Sequence, residues 1–257
     1  MLRTAGKKGA RPSDPARPRV HLGAAIRGTA PSQAHFGHIP AIGMMGNDQW
    51  GDCPFAGDGH MVEAWTFYGQ GQEAEISTAE VLAAYASTGF NPAAGPPGNN
   101  PTDNGSTPQN ALEYLFGTGM GGVKAAAFGD LNIADTNQWQ QALAEFGPLM
   151  LGVGVSQVSM QQFNNGQPWT TAPGSKAEED HVVILCGYQP GMYWCYTWGA
   201  VQGITPAWFS QNAYEVWGAI SPAWVNANTG KDPEGVNLDI LGKEFTAVTG
   251  QPSPFAG

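Results

Sequence analysis

The texture of the chain changes at Gly147. Before it, apolar residues recur at helical spacing; after it, they come in short runs rich in Val, Ile, Leu and aromatics, bounded by Gly, Pro and Asn. Helices first and strands later restrict the chain to an α+β architecture with partly segregated halves. The helical signals are local. Pro54 suits a first helical position, where its missing N–H would have no partner anyway, and Gly57, Met61, Ala64, Trp65 and Tyr68 then share one face of a helix over 54–69. Ser77 and Glu80 make a capping box for a second helix, Thr107 with Pro108 opens a third, and Asp135 or Thr136 caps a fourth. The strand candidates are GPLMLGVGVS, HVVILCGY, MYWCYTWG and NAYEVWGAIS, the middle two joined by a Gln-Pro-Gly link that reads as a hairpin. Leu238, Leu241, Phe245 and Val248 are spaced for a last helix that packs back on the body.

Charge divides the chain differently. Residues 1–27 hold seven basic side chains against the single acid Asp14, a net of +6, whereas the remainder holds 4 basic and 20 acidic residues, a net of −16. The acidic body repels nucleic acid, which leaves the arm as the one element able to bind a polyanion. The simpler expectation is that the arm lies on an acidic protein surface, its own or that of a neighbouring subunit. Three segments follow: an extended basic arm and lead over 1–40, a helical half over 41–146, and a β half with its C-terminal helix over 147–257. No apolar run approaches the roughly 20 residues that span a bilayer, and the first residues offer no apolar stretch for a signal peptide. The expectation is a cytoplasmic protein with no membrane partner.

Three cysteines cannot all pair within one chain, which fits a reducing compartment. Cys186 and Cys195 sit in the apolar strand candidates and read as small buried hydrophobes. Cys53 stands at the start of the first helix, where unsatisfied N–H groups and the dipole favour thiolate and lower its pKa. Such a thiol needs a base. His60 is two helical turns away, roughly 10 Å along the axis, and out of hydrogen-bond reach. His21, His35 and His38 lack acidic or thiol companions at metal-ligand spacing, so neither a metal nor an organic cofactor is expected. His181 opens an apolar strand just after the polar run KAEED, at a strand edge where a cleft can form.

The order of these features resembles the papain-like cysteine peptidase superfamily: a cysteine at a helix start, Gly147-Pro148 before an apolar strand, then His181 in HVVILCGY and a downstream Trp198-Gly199. GNDQWGDC, TDNG, HVVxxxGY and TWG look closer still to uncharacterised papain-like proteins of bacteria and tailed phages, over about residues 43–225. The resemblance implies a papain-like fold, a helical half and a β-sheet or barrel half with a cleft between them. It makes Cys53 the nucleophile and His181 the general base of a hydrolase cutting peptide or amide bonds. It places an oxyanion-stabilising amide at Asn47, six residues before the cysteine, with Gln49 as the competing candidate, and a shielding tryptophan at Trp198. Two positions depart from the pattern. Pro54, not an aromatic residue, follows Cys53. The asparagine that would orient the histidine is replaced by Tyr196 or Thr197, depending on the alignment; Thr197 could accept the imidazole N–H, or either could be a plain strand residue. The second expectation is therefore a catalytically degenerate structural or binding protein, such as a phage virion component docked by its arm.

Overall fold

The computed structural model describes residues 3–26, 28–173, 175, 177–225 and 238–253. Seven helices are present among them: α1 (Cys53–Gln70), α2 (Thr78–Ala86), α3 (Pro108–Gly117), α4 (Thr136–Phe146), α5 (Gln157–Asn164), α6 (Pro206–Asn212) and α7 (Leu238–Thr249). The strands are β1 (Ala34–His35), β2 (Ala127–Leu131), β3 (Leu149–Val155), β4 (Glu179–Gln189), β5 (Met192–Thr197), β6 (Ala200–Ile204) and β7 (Ala213–Ile220). They form one antiparallel sheet in the order β2-β7-β3-β4-β5-β6, with β1 beside β4. No pairing closes this path into a barrel among the described residues. No described helix is long and apolar enough to cross a membrane.

The helix ends follow the expected chemistry. The Ser77 side chain accepts from the Glu80 N–H while the Glu80 carboxylate takes the Ser77 N–H, the Thr107 side chain accepts from Asn110, and Asp135, not Thr136, caps α4 by accepting from Gln138. The β4–β5 hairpin turns at Pro190-Gly191, with Gln189 opposite Met192 and Gly191 at φ +85°. All three cysteines are buried and unpaired. The strands are less segregated than the sequence texture suggests, because β2 precedes Gly147 and α5 and α6 follow it. Helix α7 forms beside β2; the side chains of Leu238, Leu241, Phe245 and Val248 lie outside the described residues.

Helix α1 is the axis of the core. One apolar face is expected for it, yet it is buried on almost every side, with α2 and α3 against it on one flank, β3 and β4 on another, and the turn Pro222–Trp224 at its end. Two glycines allow this approach. A Cβ at Gly57 would come within 3.0 Å of Ile184, and one at Gly69 within 2.3 Å of the Ala223 and Trp224 carbonyl oxygens. Polar α1 residues drawn inside find partners where they can: His60 Nδ1 lies 3.0 Å from Glu63 Oε2, and the Thr66 hydroxyl donates to the Val62 carbonyl at 2.8 Å.

Asp58 is the exception, since neither carboxyl oxygen has a hydrogen-bond partner among the described residues. Burial holds its carboxyl well above the usual range, so the folded chain keeps a proton that the unfolded chain releases above about pH 4. Folded chains then bind more protons than unfolded ones, and stability falls as pH rises from about 4 towards the raised value, by up to about 1.4 kcal/mol per pH unit. Urea midpoints of Asp58→Asn should match those of the native chain near pH 4 and exceed them at pH 7.5. A difference that does not change with pH would contradict this reading.

Candidate active site

The elements bring Cys53 and His181 to one small cavity. Cys53 is the first residue of α1, and His181 is the third residue of β4, paired with Val153 of the buried strand β3. The cavity they share is about 10 Å³ and is also lined by Met44, Asn47, His60 and Trp198. Cys53 is 2% exposed and His181 1%. His181 Nε2 lies 2.8 Å from Thr197 Oγ1, while its Nδ1 is buried without a hydrogen-bond partner among the described residues.

Thr197 closes β5 and faces Ala200 across a two-residue turn made by Trp198 and Gly199. Both turn residues have positive φ, +44° and +69°, the sense that matches strand twist in tight hairpins. For a tryptophan this left-handed conformation is strained. The strain puts the Trp198 ring face to face with the His181 ring, centroids 4.5 Å apart and planes within 19°. Tyr196, the other candidate beside the histidine, turns its hydroxyl to the Phe36 carbonyl.

The two oxyanion candidates separate. Asn47 lines the cavity, but its side-chain nitrogen donates to the Trp50 carbonyl at 3.1 Å and to Asp52 Oδ1 at 3.2 Å, which commits it to the loop. Gln49 is exposed, and its side chain reaches only Asp48 among the described residues. His21 pairs with Asp130, and His35 packs edge-on against Trp194. No cluster of metal-ligating side chains occurs among the described residues.

The electrostatics differ from the lowered thiol pKa expected at a helix start. Burial pushes the Cys53 thiol up to about 12, outweighing the smaller lowering effects of the Val182 and Gly9 backbone. Desolvation outweighs the helix terminus. Burial also pulls His181 down to about 3, with the Lys8 ammonium adding to the effect. In this arrangement thiol and imidazole are both neutral at pH 7. Asp52, the residue before Cys53, is buried as well, and its carboxyl is held well above the usual range chiefly by that burial.

Two of these perturbing residues, Gly9 and Lys8, belong to the arm, which lies on its own chain. The Lys7 N–H donates to the Asn47 carbonyl at 2.6 Å, and Trp198 Nε1 donates to the Lys7 carbonyl at 3.1 Å. Ser106 N–H donates to the Gly9 carbonyl and Arg11 N–H to the Ser106 carbonyl, each at 2.8 Å. The arm's cations meet body acids: Lys8 Nζ is 2.9 Å from Glu179, Arg17 bonds Glu113, and Arg19 is 3.8 Å from Asp130. Leu22, fully buried, anchors the far end. The sequence offered charge complementarity as a signal for this, but nothing that fixed which acids would be met.

Solved structures share this architecture. Xylellain, a cysteine protease from Xylella fastidiosa, superposes with a TM-score of 0.63 at 13% identity, over 86% of this chain and 98% of that one. A cysteine protease of Carica candamarcensis in complex with E-64 gives 0.54 at 16% identity, over 76% and 99%. Procathepsin L 3 of the Tenebrio molitor larval midgut gives 0.55 at 12% identity, over 85% and 76%. No protein-family model and no curated protein sequence matches the chain. At these identities the likeness shows the fold, which is that of papain-like cysteine proteases.

Proposed function

We propose that the chain is a cysteine hydrolase of peptide or amide bonds, with Cys53 as nucleophile and His181 as general base, and that the structure captures it with its arm across the catalytic cleft. The observation that carries this reading is the disposition of His181. One ring nitrogen is held by Thr197 and one face is covered by Trp198, while Nδ1 has no partner among the described residues and His181 lines the same cavity as Cys53. A proton on Nε2 donated to Thr197 leaves the Nδ1 lone pair to take the thiol proton.

With the arm displaced, water and substrate reach the pair and desolvation no longer favours its neutral form. The Cys53 thiolate attacks the carbonyl carbon, forming a C–S bond and an oxyanion. The Cys53 backbone N–H, at the helix start where it has no intrahelical partner, is placed to donate to that oxyanion; Asn47 can add its amide only by releasing Trp50 or Asp52. Imidazolium returns its proton to the leaving amine, and water, deprotonated by His181, cleaves the acyl-thioester.

The test is hydrolysis of a quenched fluorescent peptide library by the full chain carrying Gly9→Leu, whose side chain has no room in the arm's seat, with Cys53→Ala added as control. Cys53-dependent cleavage supports the hydrolase. Its absence in a folded variant favours the second reading, a structural or binding protein on the same scaffold, which the neutral buried pair also fits. Thr197→Val should lower kcat of the Gly9→Leu chain by roughly 10- to 100-fold with little change in KM, the cost of an unheld imidazole. Equal kcat would make Thr197 a plain strand residue.

A further inference from the structure

Close to Cys53 the arm runs through a slot with no room for a side chain at Gly9. At Gly9 a Cβ would lie 2.1 Å from the Gly51 carbonyl oxygen and 2.2 Å from its Cα, and a Cβ at Gly105 would lie 2.0 Å from the Gly9 carbonyl oxygen. The walls are backbone, so they cannot yield as a flexible side chain would. They are also clamped: Asp103 Oδ1 accepts from the Gly51 N–H at 3.0 Å and from the Tyr85 hydroxyl at 2.8 Å, and the same hydroxyl accepts from the Gly105 N–H at 2.8 Å. Three residues along, Gly6 meets a second narrow passage, where a Cβ would lie 2.4 Å from the Asn47 carbonyl oxygen and 2.7 Å from the Trp198 ring.

Charge adds a second requirement. The slot opens onto a cavity of about 630 Å³ whose body side carries Asp103, Glu179 and Asp180. Lys8, next to the slot glycine, is seated with its side chain 9% exposed and its ammonium on Glu179. When the arm leaves, these carboxylates and an acidic body remain.

Resting on the hydrolase reading, we infer that the site takes lysine-bearing peptides with glycine at the residue crossing the Gly51–Gly105 slot, and that Glu179 selects the lysine beside it. A peptide that follows the arm's path past Gly51 and Gly105 meets the same backbone walls. A substrate must bring a carbonyl carbon to the Cys53 sulfur, in a register or polarity that need not be the arm's; the core Gly6-Lys7-Lys8-Gly9 reads the same in both directions. Glu179 is a specificity residue and takes no part in the chemistry.

The experiment has two arms, both on the full chain with Gly9→Leu. Cut sites in a random peptide library, read by mass spectrometry, should be enriched tenfold or more for glycine next to the cleaved bond and several-fold for lysine nearby. Adding Glu179→Lys should reverse the lysine preference towards acidic residues and leave glycine selection intact. Binding is read separately, with Cys53→Ala added, using RTAGKKGAR, its reversed sequence, and versions of each with both glycines replaced by alanine. At least one glycine peptide should bind tenfold or more tighter than its alanine version. Cleavage without glycine enrichment would overturn the inference and leave the hydrolase standing. Glycine-selective binding without cleavage would do the opposite, and equal binding of glycine and alanine peptides would sink the slot by itself.

Discussion

In a chain opened by Gly9→Leu, replacing His181 with alanine should reduce peptide hydrolysis by roughly 10⁴-fold or more, and Cys53→Ala should do at least as much. The two losses should not add, because nucleophile and base act on one proton. Folding must be checked alongside, since His181 is buried between β3 and the Trp198 ring. His181→Gln keeps much of the volume and serves as the second variant: it should retain the urea midpoint within about 1 kcal/mol and still lose the activity. Full activity in either His181 variant would assign the base elsewhere, with His60, on the same cavity, the next residue to replace.

The second large effect is on access. Native Cys53 is 2% exposed with the Gly9 backbone close by, so on the proposed reading alkylation should proceed only through rare opening of the arm. Gly9→Leu should raise the rate tenfold or more, because a side chain there collides with the Gly51 backbone. Gly9→Ala should do the same to a smaller degree. Acid should favour opening. Burial and Lys8 hold His181 down to about 3 beneath the arm, whereas an exposed imidazole titrates near 6.5, so the open form binds more protons between those values. The advantage of Gly9→Leu over the native chain, measured as a ratio of alkylation rates, should therefore shrink as pH falls from 7 to 4. A constant ratio would show that arm opening is not linked to His181.

Much of the helical framework was legible because it rests on local chemistry. Pro54, the Ser77–Glu80 box, Thr107-Pro108 and Asp135 each act within one turn, and each marks a helix start. The same rule applied to Ser156 and to Thr205-Pro206 would have found α5 and α6, which the strand-like runs around them concealed. Strand β2 was hidden differently. Its five residues include Gly129, and it gains its place by pairing with β7 some ninety positions later, which no local pattern records. The burial of α1 on all sides has the same origin, being set by the elements that converge on it.

For the site, the positions of Cys53, His181 and Trp198 came from chain order, and Thr197 was one of two open alternatives that the 2.8 Å contact with His181 separates. The pKa expectation for Cys53 failed because a helix terminus is a local effect and desolvation is a tertiary one. The arm's charge pointed to an acidic surface, and the structure places that surface on the chain's own body, against Glu179, Glu113 and Asp130. The Gly51–Gly105 slot was not legible at all, since glycine is common here and its role depends on the backbone it faces.

The most direct measurement is the pH dependence of Cys53 alkylation by iodoacetamide, located by peptide mass spectrometry, in the Gly9→Leu chain with and without His181→Ala. A thiolate–imidazolium pair predicts rapid labelling below pH 7 that disappears with His181→Ala. Labelling that rises only near pH 8.5, equally in both proteins, would identify an ordinary thiol and contradict the hydrolase reading.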